Sequence, residues 1–207
     1  TQLNALAPRL FADLRLSHHG LNVAATPRRL VVTAQGVSPR QPDRERVEKG
    51  PPADRAFDAD GKPTKAAEGF ARSRGVALED LKVEDTEAGR YVTALVRETG
   101  RPALDVLAEA LPGLIAAIKF GKSMRWNSTG ITFSRPIRWL LALLGDQVIP
   151  FEYAGLNSGN LTRGLRPYGS PRQEINSASD YADILQTQNI LLDPAARRAN
   201  IQTQIAA

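Results

Sequence analysis

Basic side chains interleaved with aromatic rings are the part of this sequence best suited to chemistry, and that chemistry is binding. Arg125 precedes Trp126, and Arg138 precedes Trp139. Guanidinium groups fit phosphate oxygens, and aromatic rings stack on unpaired bases, so the pattern indicates a nucleic-acid surface. The candidate cations for phosphate or partner contacts are Arg28, Arg29, Lys122, Arg125, Arg135, Arg138, Arg163 and Arg166.

The net charge of the chain is concentrated in one stretch, residues 119–167. This stretch has seven basic and two acidic residues, whereas the whole chain has 27 basic and 22 acidic residues and a net charge of +5. The remainder is therefore balanced. Because the positive charge lies beside the apolar run 139–144, we expect it to be displayed on a rigid sheet, where it suits a polyanion such as RNA or DNA.

A structural interpretation of the same residues stays open. Both tryptophans could lie in the core, and the arginines could cap carbonyl groups or pair with acids. Trp139 begins an apolar run, which favours a core position for this ring. For the arginines, the charge segregation favours a phosphate or partner surface.

Other chemistries find little support in the sequence. Gly121-Lys122-Ser123 resembles a phosphate-binding loop, but that motif needs glycine where Ala116 stands. His18 and His19 are adjacent, and neighbours on a helix do not share a face for a metal. The chain has no cysteine, which excludes disulfides and thiolate chemistry. We therefore predict no catalytic residue, no metal and no cofactor.

The composition is that of a globular protein, with 42% hydrophobic and 24% charged residues among 207. The longest apolar run is far shorter than a bilayer span, and no signal peptide is visible. We therefore expect no membrane and a cytoplasmic location. The sequence begins without Met in one helical pattern and ends in another, which we interpret as a fragment of a longer protein.

Apolar spacing, caps and turn residues predict the helices and strands. We predict helices from Leu3 towards Gly20, over Lys65–Arg74, and from Ala103 to Lys119 with a kink or break at Pro112. Two more begin at the motif Ser177-x-x-Asp180 and at Pro194. The predicted strands are 23–26, 28–33, a pair 81–83 and 91–97, and a hairpin of 140–144 with 148–153, although a helix remains an option for 137–144. Residues 38–62 are predicted to be loop, with a short strand near Val47.

Two long segments carry a resemblance to a known family. KSMRW at 122–126 and FSRPIRWLLALLGDQVIPFEYAGLNSGNLTRGLR at 133–166 resemble the beta subunit of the bacterial two-subunit glycyl-tRNA synthetase. ATPRRLVV at 25–32 and EKGPPADRAFDADGKPTKAAEGFARSRGV at 48–76 resemble the same family in the same order. The resemblance covers residues 14–207. Leu165 stands where the family usually has histidine, so no role of that histidine is carried over.

The resemblance implies a role in a class II ligase that joins glycine to tRNA with ATP. In that family, ATP, magnesium and glycine bind to the alpha subunit, and the beta subunit recognises tRNA. The implied partners are therefore the alpha subunit and tRNA(Gly). The resemblance also implies an α/β (α+β) fold of mixed or antiparallel sheets with flanking helices, similar to the editing-type module of the phenylalanyl-tRNA synthetase beta subunit. This module would span residues 1–175, with 1–100 and 101–175 as optional subdomains, and 176–207 would begin a helical region.

Three functions remain open at this stage. The first is a noncatalytic module that contacts tRNA, the alpha subunit or both. The second is a hydrolase that edits mischarged tRNA, for which no nucleophile and base can be named. The third is a scaffold that only holds the alpha subunits.

Overall fold

The computed structural model describes residues 2–58, 60–86 and 89–206, and its architecture is mixed α/β with small, mostly antiparallel sheets, as the sequence predicted. None of the described helices is long and apolar enough to cross a membrane. The helices are α1 (Leu3–Asp13), α2 (Ala53–Ala56), α3 (Lys65–Arg74), α4 (Ala103–Ala116), α5 (Tyr181–Thr187) and α6 (Pro194–Ala206), and single 3-10 turns span Leu78–Asp80, Arg166–Tyr168 and Ala178–Asp180.

Fourteen strands are formed by the described residues. The first five are β1 (Leu21–Thr26), β2 (Arg29–Ala34), β3 (Arg44–Pro52), β4 (Lys82–Thr86) and β5 (Gly89–Glu98). The others are β6 (Met124–Arg125), β7 (Thr132–Phe133), β8 (Leu140–Leu141), β9 (Leu143–Leu144), β10 (Gln147–Val148), β11 (Glu152–Tyr153), β12 (Leu156–Gly159), β13 (Leu161–Arg163) and β14 (Arg172–Glu174).

The chain divides into two compact units, one of which is inserted in the other. The first unit contains residues 2–41 and 101–206 of the described chain, and the inserted unit contains residues 42–100. Residues 2–41 therefore belong to the same unit as residues 101–206.

The inserted unit is a three-stranded antiparallel sheet in the order β3-β5-β4, covered by α2 and α3. Thr64 caps α3 by accepting a hydrogen bond from the Ala66 N–H, and Gly75 ends the helix with φ 66°, as the sequence predicted. The predicted strand pair is also confirmed as β4 and β5; the two residues at the middle of its turn, 87 and 88, lie outside the described residues.

The short strand predicted near Val47 is confirmed as the longer β3, Arg44–Pro52, whereas the loop predicted around it is wrong at both ends of this strand and over α2. The strand β3 is highly charged and mostly exposed, so no apolar alternation marks it. Pairing with the longer β5 holds it in place, supported by a cross-strand ion pair in which Arg97 Nε lies 2.9 Å from a Glu45 oxygen. Neighbouring strands, rather than the propensity of its own residues, therefore specify β3.

In the first unit, β1 and β2 form an antiparallel hairpin, with Leu21 opposite Ala34 and Thr26 opposite Arg29. The helices α1 and α4 pack on each other and close an apolar core that we call the helix cluster. The helix predicted from Ala103 is confirmed as α4, but it ends at Ala116 rather than Lys119, and the predicted split at Pro112 is wrong because α4 continues through this residue. The helix α1 ends at Asp13, well before Gly20. The helix cluster consists of Phe11, Leu16, Ala103, Val106, Leu107 and Ile149.

A second core, the α5 cluster, lies against the hairpin. Tyr181 and Leu185 supply the buried face of α5, as their spacing predicted. Because α5 shares this core with strand residues, the chain beyond residue 175 begins as part of the first unit, whereas α6 has no buried residue. The α5 cluster consists of Ala24, Val31, Ile175, Tyr181, Leu185 and Ile190.

The apolar run 139–144 adopts strand structure, so the helical alternative for 137–144 is excluded. Its first part, β8, pairs in parallel with β12, and its second part, β9, forms a tight hairpin with β10 in which Leu144 lies opposite Gln147. Gly145 adopts φ 62° in this turn. This left-handed conformation costs glycine little free energy, because glycine has no Cβ atom.

We expect Gly164→Ala to destabilise the first unit, because the site has no room for a methyl group. A Cβ atom on the buried Gly164 would lie 2.7 Å from Pro171 Cγ and 2.8 Å from Gln188 Oε1. Overpacking of this kind costs about 1–3 kcal/mol. Urea unfolding measures the loss, with Gly159→Ala as the control, since a Cβ atom at Gly159 meets nothing within 4 Å. Equal stabilities of the two variants would contradict this packing.

Candidate nucleic-acid interface

All eight candidate cations belong to the first unit, and five of them line one groove of about 860 Å³. The groove is bounded by β2, by residues 133–143, and by the inward faces of α1 and α4. Among the described residues, none of those that line the groove is an aspartate or glutamate, so the charge of this lining is entirely positive. The groove arginines are Arg28, Arg29, Arg135, Arg138 and Arg166.

The ring of Trp139 lies beside the guanidinium groups of Arg28 and Arg29. The guanidinium carbon of Arg28 lies 6.0 Å from the centre of the Trp139 ring, and that of Arg29 lies 5.5 Å away. Both Nη atoms of Arg28 donate to Ser170 Oγ at 3.2 Å. Trp139 is half-buried, so it is neither a fully buried core ring nor a free stacking platform, and its face is oriented to cations.

Arg29 differs from the other candidates because it is buried, with 8% of its surface exposed. One Nη atom donates to the carbonyl of Arg163, whereas Nε is buried without a hydrogen-bond partner among the described residues. Burial lowers the pKa of Arg29 and raises the pKa of the neighbouring Tyr181, although the charge of Arg29 opposes the latter shift. The prediction that Arg29 contacts phosphate at the surface stays untested. The Arg29 side chain is buried and lines the groove.

The alternation of side chains along β2 explains why two adjacent arginines have different surroundings. Successive residues of a strand point to opposite faces of the sheet. Arg28 lies in the hairpin turn and is exposed, whereas Arg29 begins β2 on the same face as the buried Val31. This alternation is the sequence signal from which the different burial of Arg28 and Arg29 could have been predicted.

The candidate cations are not neutralised by acids within the part of the chain that the structure describes. Among the ion pairs formed within residues 2–58, 60–86 and 89–206, none includes any of the eight candidates. Arg163 is half-buried in β13. The exposed members are Arg28, Lys122, Arg125, Arg135, Arg138 and Arg166.

Lys122 and Arg125 lie outside the groove, on the short β6–β7 hairpin and the bend before it. Met124 pairs with Phe133, and Trp126 Nε1 donates to the Phe133 carbonyl at 2.9 Å. Trp126 remains 42% exposed, so its ring is accessible to solvent at this hairpin. The first unit thus brings together the groove arginines, and it holds Lys122 and Arg125 as a separate pair.

The described residues hold no group of three or more His, Cys, Asp or Glu placed to bind a metal ion. The segment 121–123 follows α4 rather than a strand, which agrees with the rejection of a phosphate-binding loop.

Sequence reasoning missed the roles of Ser170 and Tyr181, which contact Arg28 and Arg29 from more than 100 positions away. No local pattern reports contacts at such a separation.

Comparisons with known proteins identify relatives over the whole chain. The family model described as glycyl-tRNA synthetase beta subunit matches residues 1–207. A glycine–tRNA ligase, chloroplastic/mitochondrial 2, of Arabidopsis thaliana is 46% identical over 95% of this chain and 18% of its own length. The glycine–tRNA ligase beta subunits of Nitratidesulfovibrio vulgaris and Moorella thermoacetica are each 45% identical, over 93% and 99% of this chain and 28% and 29% of their own lengths. The chain therefore spans less than a third of these relatives.

Proposed function

Because the chain belongs to the glycyl-tRNA synthetase beta subunit family, we propose that its first unit contacts tRNA(Gly) in a complete glycine–tRNA ligase. The complete enzyme joins glycine to tRNA with ATP, and its alpha subunit binds ATP, magnesium and glycine. The unit described here supplies phosphate contacts and no aminoacylation chemistry.

One observation carries this proposal: the exposed cations have no acidic partners among the residues that the structure describes. A basic group already paired with a carboxylate gains little from a phosphate, because it must first give up that pair. The exposed candidates form no ion pair within the described residues, and the groove that four of them line contains no acid. Each of them can therefore neutralise a phosphate and release the cations condensed around the nucleic acid, which is a large source of affinity for nucleic acids.

The exposed pair Lys122 and Arg125 offers a clean test, since it lies on a hairpin away from both core clusters. We expect Lys122→Gln/Arg125→Gln to lower the slope of log K against log[salt] for tRNA(Gly) by about 1.4–1.8 units, as two phosphate contacts predict. The measurement is a filter-binding titration of the complete enzyme over several salt concentrations.

The control is Lys62→Gln/Lys65→Gln, which removes the same charge from exposed positions of the inserted unit. An unchanged slope in the Lys122/Arg125 variant would rule out this pair as phosphate contacts. If that variant instead weakens association with the alpha subunit in sedimentation experiments, the surface is a subunit contact and the tRNA proposal is wrong for it.

A further inference from the structure

The two tryptophans of the chain have different surroundings, and of the two only Trp126 offers its ring to a ligand. Trp139 is half-buried, and the guanidinium carbons of Arg28 and Arg29 lie 6.0 and 5.5 Å from the centre of its ring. Trp126, on the β6–β7 hairpin, is 42% exposed. Because tryptophan is enriched at binding surfaces, this exposed ring is a candidate contact.

The fold holds the Trp126 ring in one orientation. Its single polar atom, Nε1, donates a hydrogen bond of 2.9 Å to the carbonyl oxygen of Phe133. Phe133 lies opposite Met124 in the hairpin and packs against Phe120, with 4.6 Å between the two ring centres. Since Nε1 is already used within the protein, the exposed part of the Trp126 ring binds a ligand by stacking and apolar contact rather than by donating a hydrogen bond.

The loop of the hairpin is exposed but held in place. Residues 121–130 are all exposed. Asn127 Nδ2 donates to the Ala154 carbonyl at 2.7 Å, and Asn127 Oδ1 accepts from the Thr129 N–H at 3.1 Å. These bonds tie the loop to the turn between β11 and β12. A ring on an ordered hairpin loses little conformational freedom when a ligand binds, which favours affinity.

The surroundings of Trp126 attract an anion. Residues 110–145 contain no aspartate or glutamate. Lys122 and Arg125 are exposed and form no ion pair with any residue that the structure describes. They precede Trp126 by four residues and by one, and both side chains are long and flexible. A polyanion that passes the ring therefore comes within reach of both cations.

The size and charge of this surface favour a nucleic acid over a protein. Among the described residues of the hairpin, the exposed large apolar side chains are Trp126 and Met124, which is 60% exposed. Two side chains cover far less than the roughly 800 Å² that each partner buries in a standard protein interface. The centres of protein interfaces are also depleted in lysine. An RNA strand fits better, since its flat bases alternate with phosphates.

The geometry of RNA requires that the bound base be unpaired. In a duplex, neighbouring base pairs cover both faces of each base, so a side chain reaches only edges, sugars and phosphates. A base in a loop or at a strand end can leave its neighbours and stack on an aromatic ring. Stacking uses no particular hydrogen-bonding edge, so such a site tolerates different bases.

We propose that the β6–β7 hairpin binds an unpaired nucleotide of RNA, with its base stacked on Trp126 and the adjoining phosphates on Lys122 and Arg125. This inference rests on the proposed contact with tRNA(Gly), which assigns only phosphates to the hairpin, and it adds the base. It also gives the two tryptophans separate roles, since Trp139 contacts the groove arginines and Trp126 contacts RNA.

Substitution of Trp126 in the complete enzyme tests the stacking, with tRNA(Gly) binding measured over several salt concentrations. We expect Trp126→Leu to weaken binding about tenfold at every salt concentration, as the loss of one stacked base predicts. The slope of log K against log[salt] should stay unchanged, because no phosphate contact is removed. Trp126→Phe should bind within about threefold of the unaltered enzyme, since it keeps an aromatic ring although it loses the Nε1 hydrogen bond.

The two substitutions separate stacking from a structural role. Equal losses in Trp126→Leu and Trp126→Phe would show that the hydrogen bond to Phe133 matters rather than the ring, and would overturn the proposal. So would unaltered tRNA binding by Trp126→Leu, including the case in which this variant weakens association with the alpha subunit instead. Lys122→Gln/Arg125→Gln changes the slope, whereas Trp126→Leu changes the affinity at constant slope, so the phosphate contacts and the stacked base can fail independently.

Ultraviolet crosslinking identifies the nucleotide. The complex of the complete enzyme with tRNA(Gly) is irradiated and digested, and mass spectrometry maps the nucleotide joined to Trp126. We expect an unpaired nucleotide, whose position shows whether it belongs to the 3′ end or to a loop. A crosslink to a nucleotide within a base-paired stem, or no crosslink at Trp126 in the saturated complex, would overturn the proposal.

Discussion

Replacing the four exposed groove arginines, Arg28, Arg135, Arg138 and Arg166, by glutamine is expected to flatten the salt dependence of tRNA(Gly) binding by the complete enzyme. Each lost phosphate contact removes about 0.7–0.9 units from the slope of log K against log[salt], so four contacts remove about three units. Between 50 and 200 mM salt, the affinity of the unaltered enzyme should then fall about sixty-fold more than that of the variant. The effect is large because no nearby acid competes for these side chains within the described residues.

A variant with the same charge change elsewhere controls for the loss of overall attraction. Arg55, Lys62, Lys65 and Arg72 are exposed on the inserted unit, and their replacement by glutamine should leave most of the slope intact. If both fourfold variants lower the slope equally, net charge alone determines binding, and the groove arginines have no special role.

Leu185→Ala is expected to destabilise the first unit by about 2–5 kcal/mol, the largest stability effect that we predict. Leu185 is fully buried in the α5 cluster, where it packs beside Ile175 and Tyr181. Its truncation leaves a cavity that neighbours in two strands and a helix cannot readily fill. Urea unfolding of the 207-residue chain measures the change as a lower midpoint with an unchanged slope.

Ile205→Ala provides the matched control, because Ile205 is 80% exposed near the end of α6. Its truncation should change the free energy of unfolding by less than about 0.5 kcal/mol. A loss at Leu185 as small as that at Ile205 would show that α5 does not form part of the core.

The sequence predicted correctly those helices and strands whose ends are set by residues within or next to the element itself. Thr64 and Gly75 define α3 from within the sequence, because one caps its first turn and the other adopts the left-handed conformation that ends it. The strands β1 and β2 were predicted from apolar and β-branched residues on either side of Pro27, although their pairing was not. In both cases the physical cause acts over a few residues, so the sequence displays it directly.

Elements and contacts that depend on distant residues could not be predicted in this way. The charged strand β3 exists over its full length because β5 pairs with it, whereas its own residues predicted only a short strand near Val47. The candidate cations were found from charge and aromatic spacing, but their division into a groove and a hairpin depends on how β2 meets residues 133–143. The burial of Arg29 was missed because the pair Arg28-Arg29 was considered as one basic patch rather than as alternating positions of a strand.

Chemical protection by tRNA is the most direct test of the proposed contacts. Arginine modification with phenylglyoxal, followed by mass spectrometry of the complete enzyme, measures the reaction rate at Arg135, Arg138 and Arg166 with and without tRNA(Gly). We predict that tRNA slows modification at these three residues at least about fivefold and leaves Arg72 of the inserted unit unchanged. Equal rates at all four residues in the presence of saturating tRNA would contradict the account.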